Sequence, residues 1–121
     1  MSTASRGSAR ERQVRKLLES EGWAVTRGAG SKGAADLWAA QAHTETHAWI
    51  GQEYDTRPGE FVLRLIQVKG TARGPFAAFS PRERRELASL AKQTGGKAEL
   101  AWWPPRGELQ WFRQGQWPQT A

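Results

Sequence analysis

An aspartate, a Gln-x-Lys triplet and an upstream glutamate are the residues whose types and spacing could do hydrolytic chemistry in this chain. Asp36 sits in Ser31-Lys32-Gly33-Ala34-Ala35-Asp36-Leu37-Trp38-Ala39, a polar, glycine-bearing turn that runs into an apolar stretch. Gln67, Val68 and Lys69 close a strand-like run that begins at Phe61. Glu11 falls on the inward stripe of an N-terminal helical pattern, one turn before Val14. Oxygen ligands beside a lysine, on the ends of neighbouring strands, are what a magnesium-dependent phosphodiester hydrolase needs. In that chemistry Asp36, the Gln67 side-chain oxygen and the Val68 carbonyl hold Mg²⁺, with Glu11 joining directly or through water. Lys69 orients the attacking water and offsets charge growing on the phosphate. Mn²⁺ is expected to substitute for Mg²⁺. A carboxylate on an inward helix face is costly unless something pairs with it. For Glu11 a neighbouring arginine would serve as well as a metal, so both readings stay open.

The elements that must carry these residues can be read from periodicity. Residues from about Ser8 to Glu21 form a helix, with Val14, Leu17, Leu18 and Glu21 on one face and Gly22 as its stop. Arg12, Arg15, Lys16 and Glu19 form the wet face. Trp23 to Arg27 reads as a first strand, followed by the loop Gly28 to Gly33, which suits close approach of backbone to a phosphate. Asp36 to Ala40 is a second strand. Gln41 to Glu60 is polar, too long for a tight hairpin, and carries a turn signal at Asp55 to Gly59; Trp49 and Ile50 extend a flanking strand. In the third strand, Phe61 to Lys69, alternation sets Leu63, Leu65, Gln67 and Lys69 against Val62, Arg64, Ile66 and Val68. Ser80-Pro81-Arg82-Glu83 is a capping box with proline in the first turn, so a helix starts there, with Leu87, Leu90 and Ala91 inward and Gly95-Gly96 at its end. Lys97 to Trp103 and Leu109 to Phe112 make a final hairpin, and the tail beyond is loose apart from Trp117. The order predicts an α/β fold, a single domain over 1–121 with its core at about 6–112. A mixed central sheet is flanked by helices in an αβββαβ arrangement with an extra C-terminal strand, and the third and fourth strands are joined by a crossover between parallel neighbours.

Composition fits such a chain. At 121 residues it is long enough for a modest core without metal or disulfide support, and it has no cysteine. No apolar run approaches the roughly 18 residues of a membrane span, and Met1 to Arg12 lacks the apolar core of a signal peptide. A soluble, cytoplasmic protein with no membrane partner is expected. Lys+Arg number 18 against 12 Asp+Glu, a net charge of +6. Arg6, Arg10, Arg12, Arg15 and Lys16 crowd one segment and Arg82, Arg84 and Arg85 another. A basic surface attracts polyanions and releases counterions from bound phosphates; the same residues would also serve as a solubilising face.

These stretches resemble the archaeal-type Holliday junction resolvases, within the wider PD-(D/E)xK nuclease superfamily. The resemblance rests on Arg6-Gly7 with Glu11-Arg12, Leu17-Leu18-Glu19, Gly22-Trp23-Ala24-Val25 and Arg27-Gly28-Ala29-Gly30-Ser31-Lys32. It continues through Asp36-Leu37, Ile66-Gln67-Val68-Lys69 and Thr94-Gly95-Gly96-Lys97-Ala98-Glu99-Leu100-Ala101. It implies a restriction-endonuclease-like fold and a homodimeric endonuclease that binds four-way DNA junctions and nicks two opposing strands symmetrically. Position by position, Glu11, Asp36 and Gln67 match the family's acidic metal-site positions, Lys69 its catalytic lysine and Ser31 a loop serine near the scissile phosphate. Arg6 and Arg27 match basic positions associated with DNA, and Arg10 and Lys32 are assigned with them. Gln67 departs from the family's usual glutamate, keeping an oxygen ligand but removing one negative charge. A Gln-x-Lys triplet resembles the Mrr-like branch, so restriction or repair cleavage of linear or flapped DNA is an alternative, as is a non-catalytic junction-binding protein. The long 41–60 segment also departs from the family.

Other candidates carry less. His43, Glu45 and His47 alternate on a possible strand but lack a third strong ligand, and read as a solvated insertion. Trp102 and Trp103 are adjacent, so on a strand one ring must leave the core. With Trp111 or Phe112 nearby, that ring is expected to form half of a dimer contact, with base stacking as the other option.

Overall fold

A computed structural model describes residues 3–28 and 33–118, with side chains described from Ser8 onward. The elements run α1 (Thr3–Ser20), β1 (Ala24–Arg27), β2 (Leu37–Ala42), α2 (Trp49–Tyr54), β3 (Phe61–Lys69), α3 (Pro81–Thr94), β4 (Lys97–Trp102) and β5 (Gln110–Arg113), closing with a short 3₁₀ turn at Gln114–Gln116. The five strands form one sheet in sequence order, β1-β2-β3-β4-β5. Only the β3–β4 pair is parallel, as a strand–helix–strand passage through α3 requires. This is the mixed α/β sheet expected from the sequence.

The alternation of β3 divides the core between the two faces of the sheet. Val62 and Ile66 pack with Val14 and Leu18 of α1, while Leu65 packs with Leu87 and Ala91 of α3. Arg64 to Gln67 are all buried, as befits a central strand covered on both sides. The end of α1 is fixed by Gly22, at φ +94°. Trp23 N–H donates to the Leu18 carbonyl at 3.0 Å and Gly22 N–H to that of Glu19 at 3.1 Å. The Trp23 and Leu18 side chains share one apolar cluster, so the stop also turns the chain into the core. The capping box of α3 forms as expected, and Gly95 ends that helix at φ +73°.

Three expectations need correction. α1 begins at Thr3 rather than near Ser8; Gly7 costs such a helix about 1 kcal/mol, which is not enough to stop one that later packing already anchors. The 41–60 segment is not a solvated strand extension. The chain leaves the sheet at His43, whose N–H donates to the Glu60 carbonyl at 2.7 Å, and α2 follows. Ile50 and Tyr54, one turn apart, are buried, and Trp23 meets Trp49 and Tyr54 edge-on at 6.1 and 5.9 Å. Arg113 Nη2 pairs with Glu53 at 2.7 Å and ties α2 to β5. His43 is buried with Nδ1 3.1 Å from the Thr56 carbonyl, Glu45 is exposed, and among the described residues no group of three His, Asp or Glu could hold a metal. Lastly, neither Trp102 nor Trp103 stands out into solvent. Trp102 Nε1 donates to the Thr71 carbonyl at 2.8 Å under the 70–79 loop, and Trp103 packs against the α1-side core. The outward ring expected at this position is not there.

One buried ion pair links the central strands. Arg64 and Glu99 form a two-pronged contact, Nε to Oε2 at 2.9 Å and Nη2 to Oε1 at 2.7 Å. The guanidinium lies between the rings of Trp23 and Trp111, 4.8 and 4.6 Å from their centroids. Burial alone would lower the Arg64 pKa, but the Glu99 hydrogen bonds and charge more than offset it. The guanidinium stays charged.

Candidate functional site

Asp36 immediately precedes β2, and its backbone is held from both sides. Its N–H donates to the Ile66 carbonyl at 2.8 Å, and its carbonyl accepts from Gly28 N–H at 2.8 Å. The latter contact needs glycine, because a β-carbon at position 28 would lie 1.9 Å from the Ala35 carbonyl oxygen. The side chain turns toward the end of β3, where Oδ2 accepts from Val68 N–H at 2.8 Å.

Gln67 and Lys69 project together from β3 on the α3 side, as alternation requires. Gln67 Nε2 donates to the Ala34 carbonyl at 2.6 Å, which clips the loop before Asp36 onto the strand. A carbonyl at that distance needs a donor, so the amide orientation is fixed and Oε1 is the atom left for a ligand role. Lys69 Nζ is 2.8 Å from Glu83 Oε2, at the start of α3.

Glu11 reaches Asp36 from α1, on the opposite face. Arg27 Nη2 lies 3.6 Å from Glu11 Oε2, the arginine partner that was one of the two sequence readings of Glu11. Burial raises the Glu11 pKa, the Asp36 charge adds to it, and Arg27 opposes. Burial also raises Asp36, against the Val68 N–H and the charge of Lys69. Two neighbouring carboxyls whose charges oppose joint ionisation are a donor set that a divalent cation would relieve. With Gln67 Oε1 and the Val68 carbonyl nearby in sequence, the residues present fit such an ion.

The basic residues separate into two kinds. Arg27, with Arg12, Arg15 and Ser8, lines a recess of about 190 Å³ around Glu11. Arg10 is partly spent on structure: its Nε donates to the Trp103 carbonyl at 2.8 Å, and it lies so close to Gly70 that a β-carbon there would meet Nε at 2.1 Å. Arg6 lies on α1, but its side chain is outside the described residues, as are Ser31 and Lys32 entirely.

Sequence reasoning missed Glu83. The Ser80–Glu83 pattern had already explained it as a helix cap, and only the fold shows that the same carboxylate reaches Lys69. Burial favours its protonated form, but hydrogen bonds from Lys69 and from the Ser80 N–H outweigh that and hold its pKa below the usual range.

The sequence model of the archaeal Holliday junction resolvase family (Hjc) matches residues 2–51. The solved structure of Hjc from Archaeoglobus fulgidus, a Holliday junction resolvase from an archaeal hyperthermophile, is similar to the whole fold. The TM-score is 0.69 at 22% sequence identity, over 96% of this chain and 79% of that one. No curated protein matches the chain.

Proposed function

From this kinship with the archaeal-type Holliday junction resolvases of the PD-(D/E)xK superfamily, we propose that the chain is a structure-specific endodeoxyribonuclease. It binds four-way DNA junctions and resolves them by paired, symmetric nicks. The observation that carries the reading is the convergence on Asp36: Glu11 from α1, the Val68 N–H from the end of β3, and Lys69 within range of its charge. Asp36, Gln67 Oε1, the Val68 carbonyl and Glu11 would hold Mg²⁺. When bound, the ion polarises a phosphate oxygen and lowers the pKa of a water. Lys69 orients the attacking water and offsets negative charge at the phosphate. Ser31, which matches a loop serine near the scissile phosphate, is assigned with these residues to catalysis. Arg6, Arg10, Arg27 and Lys32 engage the DNA backbone, which positions the enzyme without reading bases.

Two cuts related by symmetry need two active sites at fixed separation, so the working unit is a homodimer, acting on DNA inside the cell. The whole chain, 1–121, is one nuclease domain in this reading. Its test is incubation with Mg²⁺ and labelled four-way junction, linear duplex and flap. Paired nicks at symmetric positions in the junction are expected. Equal cutting of linear duplex would favour Mrr-like restriction or repair cleavage, to which the Gln-x-Lys triplet also points. Binding without cleavage, unrescued by Mn²⁺ or by Gln67→Glu, would select a non-catalytic junction-binding protein.

A further inference from the structure

Glu83 lies outside the ligand set above, yet its two carboxylate oxygens do different jobs. Oε1 accepts from the Ser80 backbone N–H at 3.0 Å, and Oε2 accepts from Lys69 Nζ at 2.8 Å. Ser80 Oγ in turn accepts from Glu83 N–H at 3.1 Å. Pro81 in the first turn stiffens the start of the helix further. One oxygen is therefore fixed by the helix cap, and the other is aimed at Lys69, the residue after Val68, whose N–H holds Asp36.

The flexible stem of a lysine at a strand end samples many rotamers, and its ammonium has no directional preference of its own. The Lys69 side chain is 21% exposed, so packing alone does not hold it. A carboxylate mounted on a capped helix does, through a charge-assisted hydrogen bond.

We propose that Glu83 is a positioning residue for Lys69. The α3 cap holds its carboxylate so that the Lys69 ammonium is fixed at the end of β3, and Glu83 acts on phosphodiester hydrolysis only through that lysine. The proposal rests on the nuclease reading of the Gln67–Lys69 triplet. It also explains why the capping position carries a glutamate where a glutamine would cap as well.

Two substitutions separate capping from positioning. Glu83→Gln keeps an oxygen for the Ser80 N–H, but the other end of the amide becomes a donor, which cannot accept from an ammonium. Ser80→Ala removes the hydroxyl half of the cap, while the backbone N–H that holds Glu83 Oε1 remains. Wild type and both variants are compared in single-turnover nicking of a four-way junction with Mg²⁺, junction affinity, thermal midpoint, and the ¹⁵N-detected ammonium resonance of Lys69. Lys69→Ala assigns that resonance.

Glu83→Gln is expected to slow nicking by about tenfold to a hundredfold, with junction affinity and thermal midpoint close to wild type. Its Lys69 ammonium resonance should broaden away through solvent exchange. Ser80→Ala is expected to lower the midpoint by several degrees, with nicking rate and resonance unchanged. Wild-type nicking by Glu83→Gln, an equal rate loss in both variants, or a persistent resonance in Glu83→Gln would each overturn the proposal. A wild-type protein that nicks no DNA would instead sink the nuclease reading. The resonance would then decide by itself whether Glu83 holds Lys69.

Discussion

At the scale of single residues, the site brings two partly buried carboxyls close together. Burial raises the pKa values of Glu11 and Asp36 in the folded chain. An acid whose folded pKa exceeds its unfolded one contributes stability fully below the unfolded value, and loses it as pH rises through the folded value. Asp36→Asn should therefore raise the thermal midpoint of the metal-free protein by a few degrees near pH 7, since asparagine still offers an acceptor to Val68 N–H. The gain should vanish near about pH 3, where both carboxyls are protonated in either state. A lower midpoint at pH 7 would show that Asp36 is held by something stronger than the Val68 contact. The same substitution, like Lys69→Ala, should abolish nicking while leaving junction affinity within several-fold. Gln67→Glu should tighten Mg²⁺ binding several-fold in a metal titration, because it adds a negative charge. It should also destabilise the metal-free chain, because it sets a carboxylate against the Ala34 carbonyl now bonded to Nε2. Unchanged metal affinity would place position 67 outside the coordination sphere. Strand alternation placed Gln67 and Lys69 on one face of β3, the turn before the second strand marked Asp36, and a helical stripe pointed back to Glu11. Glu83 was not, because one local motif accounted for it completely and its second partner is a tertiary contact.

At the scale of elements, the sequence showed clearly what local patterns encode. The third strand ran as read from Phe61 to Lys69, and α3 started at its capping box and ended at its glycine pair. α2 stayed hidden for a physical reason. A six-residue helix shows one apolar turn at most, here Ile50 and Tyr54, and the alternating His43-x-Glu45-x-His47 upstream imitates a strand. Contacts with Trp23 and Arg113, distant in sequence, decide the matter. The Arg64–Glu99 pair was equally hidden, since neither residue signals its partner. With side chains only 8% and 2% exposed, removing one member leaves an unpaired buried charge. Glu99→Ala should cost about 3–5 kcal/mol in chemical denaturation, and an apolar pair such as Arg64→Met with Glu99→Leu should recover most of it. A loss under about 1 kcal/mol would mean that water already reaches the pair.

At the scale of the whole molecule, three segments far apart in sequence meet at one end of the sheet. α1 brings Glu11 from one face, α3 brings Glu83 from the other, and the end of β3 lies between them beside Asp36. Arg12, Arg15 and Arg27 flank the Glu11 side, so positive charge adjoins the carboxylates of the candidate site. If Arg27 neutralises a phosphate, Arg27→Ala should weaken junction binding and reduce the slope of log affinity against log salt by roughly 0.7–0.9; an unchanged slope would place it off the DNA. The central claim is that Glu11, Asp36, Gln67 and the Val68 carbonyl surround one divalent cation within reach of Lys69. Crystals soaked in Mn²⁺ test it most directly. An anomalous peak about 2 Å from Asp36, with Gln67 Oε1 or the Val68 carbonyl as a further ligand, is the predicted result. Saturating Mn²⁺ with no peak there, and Asp36 Oδ2 bonded to Val68 N–H alone, would contradict it.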